Sequence, residues 1–278
     1  MSPKHADFLI IGAGSAGCVL ANRLSKNPSN RVILLEAGGR DLNPWIHVPV
    51  GYFKTLHNPN TDWCYKTEPD SGLNGRSLDW PRGKTLGGSS SINGLLYVRG
   101  QKEDYDSWAQ RGNRGWGYDD VLPLFKRSES HENGADDFHG GDGGLAVSLI
   151  RAKTDLSEAF INAAVEMGVP RTEDYNGLDQ EGAGYFHQTA RGGFRCSSAR
   201  AFLNPVKKRP NLEIITQAHA ERLLFDPKDP RKVIGLRYTH KGQSQDILLN
   251  AGGEVILSAG AIGSPQLLEL SGIGRGDV

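Results

Sequence analysis

Phe8-Leu9-Ile10-Ile11-Gly12-Ala13-Gly14-Ser15-Ala16-Gly17 decides how this chain begins to fold, because a short apolar run closes directly on a complete G-x-G-x-x-G. Four consecutive apolar residues suit a strand buried on both faces, as in a parallel sheet. After Gly17 the small and apolar residues Cys18, Val19, Leu20, Ala21 and Leu24 continue as one face of a helix. A second apolar run, Val32-Ile33-Leu34-Leu35, then ends at an acid, Glu36. The order strand, glycine turn, helix, strand, acid is the context a dinucleotide-binding fingerprint requires. Gly12 permits the tight turn, Gly14 lets the backbone approach a pyrophosphate, and Gly17 lets the helix pack close to the strand. The first helical residues, Ser15 and Ala16, offer unpaired N–H groups to phosphate. Glu36 can accept from both hydroxyls of an adenosine ribose, and its charge would repel a 2′-phosphate. This unit alone leaves FAD and NAD both open.

Two further stretches have the same character. Pro81-Arg82-Gly83-Lys84-Thr85-Leu86-Gly87-Gly88-Ser89-Ser90-Ser91-Ile92-Asn93-Gly94-Leu95-Leu96-Tyr97-Val98-Arg99-Gly100 joins a glycine-serine run, rich in backbone N–H groups, to apolar residues that a solvated linker would lack. Near the end, Val255-Ile256-Leu257 reads as a buried strand. Ser258-Ala259-Gly260 follows it as a turn, and Ser264-Pro265 as the cap and first residue of a helix that stops at Gly272.

Composition limits the alternatives. A chain of 278 residues with 37% hydrophobic and 23% charged residues is a soluble globular protein of one large or two ordinary domains. Thirty-two basic residues balance 32 acidic ones, so net charge provides no pull toward nucleic acid or anionic membrane. Three cysteines (Cys18, Cys64, Cys196) without C-x-x-C spacing argue against a disulfide framework or zinc site, and no metal is expected. The N-terminus lacks a secretory signal and no apolar run reaches membrane-spanning length, so a cytoplasmic protein is expected, with peripheral membrane association left open.

Residues 131–144 hold acids and histidines but lack the twelfth-position glutamate of a calcium loop, and read as a solvated loop. Residues 103–127, with Tyr105, Trp108, Trp116, Tyr118, Val121, Leu122 and Phe125, read as core packing. Leu212–Thr216, Ala220–Phe225, Val233–Tyr238 and Ile247–Leu249 read as strands of an antiparallel meander, joined by turns at Pro227-Lys228-Asp229-Pro230 and Lys241-Gly242. Cys196, between Arg195 and Arg200, invites a nucleophile reading, but no histidine base lies at a recognisable spacing. A structural role is expected.

The glycine-serine stretch, continuing to Tyr97, Gly100 and Asp106, resembles the first signature of the glucose–methanol–choline (GMC) oxidoreductases. Gly260-Ala261 through Ser264-Pro265, Leu267-Leu268 and Ser271-Gly272-Ile273-Gly274 resembles the second. With the opening fingerprint and Glu36-Ala37-Gly38-Gly39, these motifs stand at both ends of the chain in the family's order. The resemblance implies an α/β fold, an FAD-binding domain like that of glutathione reductase (Rossmann-type), with a parallel sheet and an antiparallel meander. It implies FAD contacts at Gly12, Gly14, Ser15, Ala16, Gly17, Glu36, Ala37, Thr85, Gly88, Ala259 and Gly260, and backbone pairing of Ala220 with adenine. Asn93, Gly94, Leu95 and Leu96 would lie along the isoalloxazine ring. Members that attach flavin covalently carry histidine at the place of Asn93, so non-covalent FAD is expected here.

By the same resemblance residues 41–80 are a lid over the flavin that takes part in homodimer contacts, and 145–190 belong to a substrate domain; read from its residues alone, 41–80 is equally an irregular surface excursion pinned by its tryptophans. Family members run to about twice this length, and the catalytic His–His or His–Asn pair lies in their second half. The C-terminal substrate domain and that pair are therefore expected to lie beyond this chain, and none of its histidines is expected to be catalytic. The implied reaction is oxidation of a small primary alcohol, choline-like, aliphatic or aromatic, to an aldehyde by hydride transfer to flavin. Oxygen, a quinone or another acceptor would take the electrons. A catalytically incomplete FAD-binding fragment and the family's lyase and photodecarboxylase chemistries are the alternatives.

Overall fold

The first apolar run forms strand β1, Lys4–Ile11, and the second forms β2, Val32–Glu36. They pair in parallel with Leu9 opposite Ile33 and Ile11 opposite Leu35. Parallel neighbours need a crossover, and helix α1, Ser15–Leu24, supplies it. Leu9, Ile10, Ile33 and Leu34 are fully buried, as expected for strands covered on both faces. The structure is a computed structural model that describes residues 3–275. It divides into two compact units, one running to Asn93 and resuming at Ser197, the other Gly94–Cys196.

In the first unit four more strands complete a six-stranded sheet: β3 (Leu212–Thr216), β4 (Ala218–Asp226), β5 (Asp229–His240) and β6 (Gln243–Leu257). Their order is β3-β2-β1-β6-β5-β4. β3, β2, β1 and β6 run parallel, whereas β4, β5 and β6 form the antiparallel meander. Two sequence expectations change. Leu212–Thr216 lies outside the meander and pairs in parallel with β2, in register Thr216 to Glu36. Alternation cannot distinguish the two directions; the Asn211 side chain does so, donating to the carbonyls of Ser25, Asn27 and Asn30 where β2 begins. The segments Ile247–Leu249 and Val255–Leu257 are one strand, bridging the antiparallel and parallel halves across an irregularity opposite Asp7. The turn before β6 uses Lys241 and Gly242, both at positive φ.

Helix α2, Gly260–Leu270, follows β6. It starts earlier than the Ser264-Pro265 signal predicts. Gly260 turns the chain at φ +81, and the helix runs through Pro265, leaving Ser264 Oγ to accept from Ala259 N at 3.1 Å. Gly272, at φ +81, ends it as expected, with Ile273 N donating to Leu268 O at 2.9 Å. Behind α1, the buried turn Ala199–Leu203 closes the core, and Phe202 O accepts from Asn22 Nδ2 at 2.7 Å.

Residues 41–80 make short helical turns and one strand pair, Tyr65–Lys66 with Asp79–Trp80. Of its three tryptophans, Trp45 and Trp80 are about half exposed and hold little, whereas Trp63 is partly buried and stacks on Tyr65. Buried Asp62 fixes the stretch too, its carboxylate accepting from the backbone N–H groups of His57, Cys64 and Arg82.

The second unit carries helices Lys102–Gln110, Tyr118–Ser128 and Asp155–Glu166 with short strand pairs between them. Tyr105 packs its ring near Trp108, Tyr118 and Phe125, but Trp108 and Trp116 stay about half exposed rather than in the core. The 131–144 loop is not simply solvated. His131 and His139 are buried, because Gly140 and Gly143 press the loop onto residues 126–129, where a Cβ would collide with backbone.

Candidate functional site

The end of β1 builds the site. A Cβ on Gly12 would meet Ser258 O at 2.5 Å, and one on Gly17 would meet Gly12 O at 1.9 Å. These two glycines let the turn and helix press onto the β1–β6 edge. Gly14 differs, since a Cβ there would meet protein no closer than 3.9 Å, so the space it leaves bare is open to a ligand. Helix α1 has Gly14 as its cap residue, no side-chain cap and no acid in its first turn. Its first N–H groups therefore keep their partial positive charge for an external anion. Cys18 on the inner face is buried beside Ala13 O, and burial pushes its thiol up to about 12, so it is chemically quiet.

Glu36 closes the other side. Ala13 N and Gly38 N donate to its two oxygens, each at 2.9 Å. Burial pushes its pKa up to about 7 against the opposing pull of these backbone bonds. A carboxylate has about four lone-pair sites, so roughly two remain for ligand hydroxyls.

These parts enclose a cavity of about 560 Å³, within the range of small-molecule and cofactor sites. Of the residues expected from sequence, Gly12, Gly14, Ser15, Ala16, Glu36, Ala37, Gly88, Ala220, Ala259 and Gly260 line it. Gly17 and Thr85 do not; Gly17 acts by packing, and buried Thr85 donates its hydroxyl to Gly39 O at 3.2 Å. Asn93, Gly94, Leu95 and Leu96 are also absent from its walls. Asn93 N donates to Ser89 O at 2.9 Å. Leu95 is buried at φ +66, and its carbonyl accepts from Thr189 N and Oγ1. Sequence reading missed Trp63, Tyr65 and His219, which line the cavity and belong to no glycine motif, and it gave no contact to Arg82, which lines the cavity from the quoted glycine-serine stretch.

The second unit holds a buried charge cluster that no sequence spacing announced. His139 Nδ1 lies 3.1 Å from Glu129 Oε1, and its Nε2 lies 2.8 Å from Asp174 Oδ2. Arg99 Nη2 donates to Glu129 Oε2 at 2.7 Å. Burial alone would lower the His139 pKa; the bonds to Asp174 and Glu129 outweigh it and raise it to about 9. Two cations thus balance two carboxylates. Burial and the neighbouring His139 hold His131 below its ordinary range. Among the described residues no group of three or more His, Cys, Asp or Glu side chains is arranged to hold a metal ion. Cys196 is buried, with Sγ accepting from Ala146 N at 3.4 Å, in keeping with a structural role.

Comparison with known proteins fits this geometry. A sequence-family model described as GMC oxidoreductase matches residues 6–277. An alcohol dehydrogenase [acceptor] of Pseudomonas putida is 50% identical over 96% of this chain and 48% of its own length. A mitochondrial choline dehydrogenase of Mus musculus is 46% identical over 97% of this chain and 46% of its own. The crystal structure of pyridoxine 4-oxidase from Mesorbium loti superposes with a TM-score of 0.92 at 36% identity, covering 98% of this chain and 53% of that one. The chain spans about half the length of the curated relatives it matches. Among the described residues no helix is long and apolar enough to cross a membrane.

Proposed function

The chain belongs to the GMC oxidoreductase family, and from that premise we propose that it binds FAD non-covalently in the cavity between β1, α1 and α2, as the dinucleotide-holding part of an oxidoreductase acting on CH–OH groups. The observation that carries this reading is the bare Gly14 at an uncapped helix N-terminus, set in one cavity with the buried carboxylate of Glu36. The N–H groups of Ser15 and Ala16 would hold the pyrophosphate and Glu36 the adenosine ribose, with the backbone of Ala220 toward the adenine. Gly88, Ala259 and Gly260 complete the walls. FAD bound there supplies the acceptor for a hydride taken from a primary alcohol, which leaves as an aldehyde. The relatives named above support a choline-like or other small alcohol as substrate.

Asparagine at position 93 has no ring nitrogen to bond a flavin, which favours a dissociable cofactor. Purified protein is expected to show a flavin absorbance band, or to gain one on adding FAD, and acid precipitation should leave the colour in the supernatant. Protein that neither carries nor takes up flavin would refute the cofactor assignment. Colour remaining with the pellet would refute non-covalent binding. Oxidation of the alcohol is tested by adding choline or another small primary alcohol to the flavin-loaded protein, where substrate-dependent bleaching of the flavin band is the expected signal.

A further inference from the structure

The cavity carries an aromatic wall that the glycine motifs do not require. Trp63, Tyr65 and His219 all line it. The rings of Trp63 and Tyr65 lie nearly parallel, 5.7 Å apart at 7°, and the His219 ring is 5.8 Å from Trp63. Lys84, which does not line the cavity, places Nζ 4.6 Å from the indole centroid and holds the ring by a cation–π contact. The loop beneath is fixed as well. Trp63 N donates to Arg82 O at 2.9 Å, and the buried Asp62 carboxylate gathers the N–H groups of His57, Cys64 and Arg82. Yet the indole itself stays partly exposed. A large rigid ring, held by its neighbours and partly exposed where it lines a cavity, is a preorganised contact surface.

Its place along the ligand follows from the sheet. Glu36 ends β2 and pairs with Thr216, the last residue of β3. The chain then turns at once into Ala218-His219-Ala220, so His219 and the Trp63 ring near it stand at the Glu36 end of the cavity. That is the end where the carboxylate meets a ribose, and the base attached to that ribose is planar and aromatic.

We propose that Trp63, with Tyr65 and His219 beside it and Lys84 in cation–π contact with it, forms the wall against which the adenine of the dinucleotide packs. This rests on the dinucleotide reading of the cavity, and its test separates the two. Purified protein, freed of any dissociable flavin, is titrated with ADP, which carries the adenine, ribose and pyrophosphate alone, while tryptophan emission is followed. ADP is expected to quench the wild-type emission, and Trp63→Phe should lose that quench while binding within about threefold of wild type. Trp63→Ala should bind about tenfold more weakly, the order expected when one base loses its aromatic partner. The proposal is overturned if Trp63→Phe keeps the full quench, or if Trp63→Ala binds ADP as wild type does. If wild type binds neither ADP nor FAD, the dinucleotide reading itself fails. Should Trp63→Ala not fold, the quench in Trp63→Phe decides alone.

Discussion

Gly17→Ala is expected to cost both the fold and the cofactor, whereas Gly14→Ala costs the cofactor alone. The methyl added at Gly17 would sit 1.9 Å from the carbonyl oxygen of Gly12 and 2.9 Å from Ser258 Oγ. Carbon and oxygen rest well above 3 Å apart, so α1 would have to retreat from β1 by about 1 Å or more. Overpacking of this kind, against backbone that cannot rotate away, is expected to destabilise by about 3 kcal/mol. It would also shift the N–H groups of Ser15 and Ala16, and a misplacement near 1 Å costs on the order of 100-fold where geometry sets the interaction. At Gly14 the protein offers no such obstacle: φ is −77 and the nearest atom to a new Cβ is 3.9 Å away. Urea unfolding of Gly14→Ala should stay within about 1 kcal/mol of wild type. Its flavin content should nonetheless collapse, because the methyl stands where a pyrophosphate must approach. Equal losses of stability in the two variants would show that this division of labour is wrong.

That contrast also marks what the sequence could disclose. The roles of Gly12, Gly14 and Gly17 are local, because strand, turn and helix follow one another within a few residues and each glycine answers to its immediate neighbours. Glu36 was legible for the same reason, as the last residue of a run whose buried strand was itself evident. Legibility failed where two local signals competed. Ser264-Pro265 is a sound helix start on its own, but Gly260 turns the chain out of β6 four residues earlier, and the helix absorbs the proline. Leu212–Thr216 alternates like any strand, and only the Asn211 clamp on residues 25–30 fixes its direction.

The remaining misses are contacts between residues far apart in the chain. Trp63 owes its position to Arg82, Lys84 and His219, none of which is predictable from an irregular tryptophan-bearing stretch. The 131–144 loop looked solvated because its composition is polar and rich in glycine. The partners that draw His139 inward, Glu129 and Asp174, stand 10 and 35 residues away in sequence. Polar composition reports solvation only when the polar groups have no one else to bond.

The His139 cluster therefore bears the other large expected effect. Glu129→Ala is expected to destabilise the protein by about 3–5 kcal/mol, since removing one member of a buried ion network strands the rest. Arg99 would lose this carboxylate and keep the Phe138 carbonyl, the Tyr97 hydroxyl and the Phe125 ring around its buried guanidinium, and His139 would lose one of its two carboxylates. The sign of the pH dependence follows from the direction of each shift. The folded pKa of His139 lies above its ordinary 6.5, at about 9. Its contribution is thus complete below pH 6.5 and lost as pH rises toward 9. The network depresses the carboxyl of Glu129 below its ordinary 4.5, although burial opposes this, so that contribution is complete above 4.5 and lost in acid. Both are fully present together between these ordinary values. Glu36, whose pKa is raised to about 7, also loses stability with rising pH, so wild type alone does not isolate the histidine. The informative quantity is the difference in unfolding free energy between wild type and His139→Asn, measured from pH 6 to pH 9.5. It should shrink as pH rises through about 9, because deprotonation removes from wild type the charge the variant never had. A difference that stays constant across that range would mean that His139 folds uncharged, and the cluster would then be held by Arg99 alone.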